Sequence, residues 1–157
     1  MELSTEAAVT VPGTSPEAVF DYATLPSAAS EFFRGYGPIA AIRGIELPPG
    51  VAAAPGVVRR ITMADGSVLD ETILVLDRPL RHRYRVTGFK PPVSWLVEWG
   101  EGEWRFAPLE GGTSVRWQYR FRLRRAWTAP LAWLLLTLAM RPAMQRALRR
   151  IAAHFQA

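Results

Sequence analysis

The sequence predicts an α+β protein in which a curved antiparallel sheet of about six or seven strands wraps around a long C-terminal helix. Three observations predict it. First, Thr113 to Leu123 reads T-S-V-R-W-Q-Y-R-F-R-L, with Val115, Trp117, Tyr119, Phe121 and Leu123 on one face and Ser114, Arg116, Gln118, Arg120 and Arg122 on the other. Strict alternation is the period of a strand with one wet face. Second, the turn signals Asp65-Gly66, Asp77-Arg78-Pro79, Lys90-Pro91-Pro92 and Pro108–Gly112 cut the middle of the chain into consecutive hairpins. Third, from about Thr128 onward the period becomes helical, and Met140, Met144, Leu148, Ile151 and Phe155 step by about one turn.

The elements follow in order. Ala7 to Val11 is a short strand, and Pro12-Gly13-Thr14 turns the chain. Ser15 caps a helix with Pro16 at its first position and Glu17 in its first turn. A second short helix starts at Pro26-Ser27 and runs toward Phe32 and Phe33, ending at Gly35-Tyr36-Gly37-Pro38. Strands follow at Ile39–Leu47, Val57–Met63, Val68–Leu76, Arg81–Phe89, Trp95–Phe106 and Thr113–Leu123. Asp65-Gly66 reads as a two-residue hairpin turn, with both positions at positive φ. In the last helix Pro142 interrupts the ladder near Leu138, because its ring clashes with that carbonyl.

One domain, 1–157, is the natural count, and 49% hydrophobic residues supply a core without metal or disulfide staples. The absence of cysteine excludes thiol chemistry. Met-Glu-Leu-Ser-Thr-Glu lacks the regions of a signal peptide, so a cytoplasmic protein is expected. The net charge is +5, almost all of it arginine, and Lys90 is the only lysine. No helix-turn-helix, zinc finger or RNA-binding signature accompanies that charge, so no nucleic-acid partner is expected. Ala126 to Met140 is uncharged but shorter than the roughly 20 apolar residues of a spanning helix. It reads as a buried helix, with weak membrane-surface contact as the alternative.

The element order resembles the START-like helix-grip fold of the SRPBCC superfamily, which includes Bet v 1-like proteins and the polyketide cyclase/dehydrase group. The likeness is carried by Val11-Pro12-Gly13…Pro16-Glu17-Ala18-Val19-Phe20-Asp21-Tyr22, Asp65-Gly66-Ser67…Glu71, Trp104-Arg105-Phe106-Ala107-Pro108, Gly112-Thr113 and Trp117-Gln118-Tyr119. It covers nearly the whole chain. It implies a fold and not an activity, because the superfamily spans lipid carriers and cyclases, and no catalytic motif of the family transfers to a position here.

Parity assigns the inward residues. Arg81, Arg83 and Arg85 cannot line a core unpaired, so His82, Tyr84 and Val86 face inward. A short turn at Asp77–Leu80 pairs His82 with Val75, Tyr84 with Ile73 and Val86 with Glu71. The two-residue Asp65-Gly66 turn then sets Arg60 opposite Glu71, an inward cross-strand ion pair. Pairing the Trp95 and Thr113 strands sets Trp104 against Val115, Gly102 against Trp117 and Gly100 against Tyr119, so that glycines make room for rings. A bulge near Gly100–Gly102 leaves Glu98 in solvent and turns Trp99 inward.

The expected ligand wall is Tyr84, Trp99, Trp104, Trp117, Tyr119, Phe121, Met140, Met144 and Leu148, with Arg60 and Glu71 as polar anchors. The expected function is binding of a small hydrophobic, aromatic or lipid-like ligand between sheet and C-terminal helix. A cyclase or dehydratase using Glu71 or His82, a peripheral lipid-transfer protein using Leu131–Leu138, and an interaction module with a filled interior are the alternatives. No Ser-His-Asp set, metal-ligand spacing or phosphate loop is present, so no metal or cofactor is expected. Oligomeric state and ligand identity are not legible.

Overall fold

The computed structural model describes residues 1–157. The chain runs β1 (Glu2–Pro12), α1 (Pro16–Thr24), α2 (Ala29–Phe32), β2 (Ile42–Glu46), β3 (Val58–Met63), β4 (Val68–Asp77), β5 (Arg81–Thr87), α3 (Val93–Leu96), β6 (Val97–Leu109), β7 (Gly112–Leu123), α4 (Ala129–Leu135) and α5 (Arg141–Gln156). All seven strands form one antiparallel sheet in the order β1-β7-β6-β5-β4-β3-β2. The expected α+β architecture, a curved sheet gripping a C-terminal helix with two short helices after the first strand, is therefore the observed one.

Ser15 caps α1 as its sequence position demands, its Oγ accepting from the Ala18 amide at 3.3 Å. The first strand is longer than expected. Its polar residues Ser4 and Glu6 obscure the strand signal, but they lie on the wet face opposite arginine-rich β7, where Glu6 pairs with Arg116. A π turn, Leu136–Met140, separates α4 from α5 and sits just before Pro142, with the Arg141 amide reaching back to Leu136. This is the interruption that proline's missing donor and ring impose.

Helix α5 beds on β1. Ala143 and Ala147, four residues apart and fully buried, let it approach closely. The Gln145 side chain donates to the Ala8 carbonyl at 3.0 Å and fixes the helix on that strand. Met144, Leu148 and Ile151 are fully buried in the same core. Phe20 of α1 meets Phe106 edge to face, and Phe32 and Phe33 meet Trp104 and Trp117.

Three register expectations are corrected. Between β3 and β4, Arg59 stands opposite Glu71 and Arg60 opposite Asp70. Only Gly66 has positive φ, whereas Asp65 does not. The Gly66 amide bonds to Met63 O and the Met63 amide to Ser67 O. The connection is thus a three-residue loop, a type I turn followed by a left-handed glycine, rather than a two-residue one. One extra residue slips β3 by one position and exchanges its faces. Arg60 is accordingly exposed and Arg59 buried.

Between β6 and β7 the register is offset by two. Trp104 faces Trp117, Gly102 faces Tyr119 and Gly100 faces Phe121. The bulge lies between Val97 and Trp99, not at Gly100–Gly102. Val97 therefore points inward, while Glu98 and Trp99 point out. Trp99 lies on the convex face under the Arg85 guanidinium, 4.2 Å from its ring centre. A further irregularity between Ile73 and Val75 sets His82 opposite Leu76, whereas Tyr84 with Ile73 and Val86 with Glu71 pair as expected.

Candidate functional site

The concave face encloses a cavity of about 690 Å³, and 26 of its 35 lining residues are hydrophobic. Its floor is β3 to β7, presenting Ile61, Tyr84, Trp104, Trp117, Tyr119 and Phe121. Its sides are Phe32 at the end of α2, Phe33 just after it, and the Lys90–Val93 segment. Leu131, Leu134, Leu135, Leu138 and Met140, from α4 and the π turn, form the roof.

The floor has room because two of its residues have no side chain. A Cβ on Gly102 would stand 2.3 Å from the Tyr84 ring, and one on Gly100 2.5 Å from the Tyr119 hydroxyl oxygen. Both tyrosines lie flat across β6 as a result. Trp104 and Trp117 stack with centroids 4.2 Å apart, forming a rigid aromatic plate. Trp117 Nε1 is buried in this wall without a protein acceptor.

The polar end is one cluster on β3, β4 and β5. Arg59 Nη2 donates to Glu71 Oε1 in a short charge-assisted bond between side chains that are almost fully buried. His82 Nε2 lies 3.8 Å from the same oxygen, and His82 Nδ1 is 3.2 Å from the Val75 carbonyl. That carbonyl can only accept, which assigns the proton to Nδ1 and leaves Nε2 as an acceptor facing Glu71.

Burial pushes the Glu71 carboxyl above its ordinary range, outweighing the opposing pull of Arg59. Burial, with the nearby Arg59 charge, lowers His82 to about 4, so its imidazole is neutral at pH 7. Burial also raises the Tyr84 and Tyr119 hydroxyls, which stay protonated. The cluster therefore presents a guanidinium, a reluctant carboxylate and a neutral imidazole to an apolar chamber. This set can anchor an oxygen-bearing ligand or move a proton.

The structure brings Glu71, His82, Tyr84, Trp104, Trp117, Tyr119, Phe121 and Met140 together on the cavity wall. Arg60 is absent from it, and Arg59 stands in its place for the register reason given above. Trp99 lies on the opposite face. Met144 and Leu148 are packed in the core of α5, away from the wall, because the roof is α4 and the π turn. The roof leucines carried a sequence signal in the uncharged Leu131–Leu138 run, but helical period alone did not aim them at the cavity.

The model of the polyketide cyclase / dehydrase and lipid transport family matches residues 2–156. The chain belongs to this family. Among solved structures, the family member resembles ginseng major latex-like protein 151 from Panax ginseng, with a TM-score of 0.71 at 14% identity over 99% of each chain. It resembles the di-domain ARO/CYC BexL from the BE-7585A biosynthetic pathway, with a TM-score of 0.67 at 18% identity over 99% of this chain and 50% of BexL. It also resembles Ara h 8.0201, with a TM-score of 0.65 at 16% identity over 99% of each chain. At these identities the likeness shows the fold alone. No curated protein matches the sequence.

Proposed function

We propose that the protein takes a small hydrophobic ligand, aromatic or lipid-like, into the cavity beneath α4, with the ligand's polar end at Arg59, Glu71 and His82. The observation that carries this reading is the void of about 690 Å³ with a mostly apolar wall and a single buried ionisable cluster. Small-molecule sites have this size and this balance of apolar wall and few polar anchors. Protein interiors otherwise close to crystal-like density, so a void this large needs glycines and a lifted roof to persist. The family's description, which joins cyclases and dehydrases to lipid transport, supports a ligand of this class.

Native mass spectrometry of freshly purified protein is expected to find a co-purifying small molecule. Leu135→Trp, which fills the chamber from a half-buried roof position, is expected to expel it and to weaken binding of anilinonaphthalene sulfonate by about tenfold or more. Unchanged probe affinity in a folded Leu135→Trp protein would sink the reading.

The neutral imidazole of His82 beside Glu71 favours a second reading, a cyclase- or dehydratase-like enzyme in the same chamber. His82 Nε2 would take a proton from carbon next to a carbonyl, and the Glu71 carboxyl, raised toward its acid form by burial, would deliver one to the departing hydroxyl, releasing water. His82→Gln and Glu71→Gln are then expected to retain probe binding and to lose dehydration of a β-hydroxyketone substrate. Full turnover in both variants would remove this second reading.

A further inference from the structure

We infer that α4 and the turn leading into it form a docking face for an anionic lipid surface, with the mouth of the cavity held against the bilayer. The sequence alone expects this segment to be buried, yet it carries several of the most exposed large apolar side chains of the molecule. Trp127 is 75% exposed, Leu138 62%, Leu131 56% and Trp133 54%. Leu131 and Leu134 of α4 and Leu138 of the π turn all border the same opening and are exposed, so they form one apolar stripe there, with Trp127 in the turn just before α4. Contiguous exposed apolar surface of this kind marks an interaction site.

The stripe belongs to the cavity mouth. Leu131, Leu134 and Leu138 are both exposed and part of the cavity wall. The α3 turn borders the same opening through Val93 and Leu96 and carries Trp95, 69% exposed. Arg124 ties the two together, its amide bonding to Leu96 O at 2.9 Å and its Nε to Ser94 O at 2.6 Å.

Charge chooses the partner. After Glu110 the chain has nine arginines and no acidic residue. Arg116, Arg120 and Arg122 are matched by Glu6, Glu101 and Glu2 on the sheet. Arg124, Arg125 and Arg141, which flank the apolar stripe, are exposed and have no carboxylate within salt-bridge distance. Tryptophans and leucines bracketed by arginines are the composition of an interfacial helix on anionic lipid. The stripe has little with which to specify a protein partner, since Thr128 is buried and its hydroxyl already donates to Arg125 O. No helix is long and apolar enough to cross a membrane, so the face would lie on the bilayer.

Docking goes beyond the ligand reading and stands or falls separately from it. Co-sedimentation with phosphatidylcholine vesicles, with and without phosphatidylglycerol, tests it. The protein is expected to bind the anionic vesicles at low salt, to release with added salt, and to show a blue shift of tryptophan emission on binding. Trp127→Ser/Leu138→Ser, at two exposed positions, is expected to weaken partitioning by about tenfold or more. Leu135→Trp is expected to keep vesicle binding while losing the cavity probe. Failure to sediment with anionic vesicles at low salt overturns the inference. So does equal partitioning of the double variant, or a concentration-dependent dimer that the double variant dissolves in a protein indifferent to vesicles.

Discussion

Two buried glutamates sit on opposite faces of one sheet, and their carboxyls shift in opposite directions. Glu71, on the concave face, has a single guanidinium partner, Arg59, which is itself buried. Its carboxyl is raised because desolvation prevails. Glu101, on the convex face, is just as hidden, with a side chain 1% exposed. It accepts from Arg83 at 2.5 Å, Arg120 at 2.6 Å and Arg85 at 3.0 Å. Burial pulls its carboxyl up, but these three hydrogen bonds prevail and hold it below its ordinary range. The difference lies in depth and in the number of partners. Glu71 is shut deep in the interior with one guanidinium, whereas Glu101 lies beneath three arginines that keep part of their surface in water. Glu101 staples three strands, and Glu71 keeps unspent reactivity beside a void. Perturbed groups in cavities are where chemistry or binding concentrates.

The sharpest way to break this contrast is Arg59→Met. Removing one member of a buried pair costs about 3–5 kcal/mol. Glu71 then has no counter-charge and its carboxyl rises further. A raised carboxyl penalises folding increasingly as pH climbs above its unfolded value, so the loss, read from urea denaturation, is expected to be larger at pH 8 than at pH 5. Arg59→Met/Glu71→Leu is expected to recover most of it. Equal loss at both pH values, with no recovery in the double variant, would contradict the account.

His82 sharpens the same contrast. Its folded value, about 4, lies below the ordinary 6.5, so its contribution is fully present above pH 6.5 and is lost as pH falls toward 4. The span corresponds to roughly 3 kcal/mol. Stability measured across that window is expected to fall in the wild type and to stay flatter in His82→Gln.

The smallest effect is expected at Glu101→Gln, roughly 1–3 kcal/mol, because its half-exposed arginines can turn to water. Since the Glu101 carboxyl is lowered, its contribution is present above the ordinary carboxylate range and lost only in more acid solution. The difference between Glu101→Gln and wild type should therefore be constant between pH 5 and 8, unlike that of Arg59→Met. A pH-dependent difference there would erase the distinction between the faces.

Much of this arrangement is readable without coordinates, and the failures have physical causes. Alternation over Thr113–Leu123 placed the aromatic floor correctly because a strand with one wet face leaves no ambiguity of parity. The arginines of β5 identified His82 and Tyr84 as inward by elimination, and an inward Glu71 followed from its pairing with Val86. Arg59 was missed because two adjacent arginines look alike to any pattern, and one loop residue decides between them. Trp99 was misassigned because a bulge shifts parity without a mark in the sequence, and Gly100–Gly102 offered a more conspicuous but wrong location. Met144 and Leu148 share helical phase with Met140, yet phase says nothing about which length of a helix stands over a void. That depends on the small alanines that let α5 settle on β1.

The π turn at Leu136–Met140 acts as a phase shifter. One surplus residue rolls the upstream half of the helix by about 100° relative to the downstream half. This lets a single rod satisfy two incompatible demands, alanines seated downward in one half and leucines swung toward the opening in the other. Excising Thr137 would restore a uniform winding and rotate Leu131 and Leu134 off their present bearing. The aperture of this protein is thus governed by the count of residues in one turn as much as by their identity.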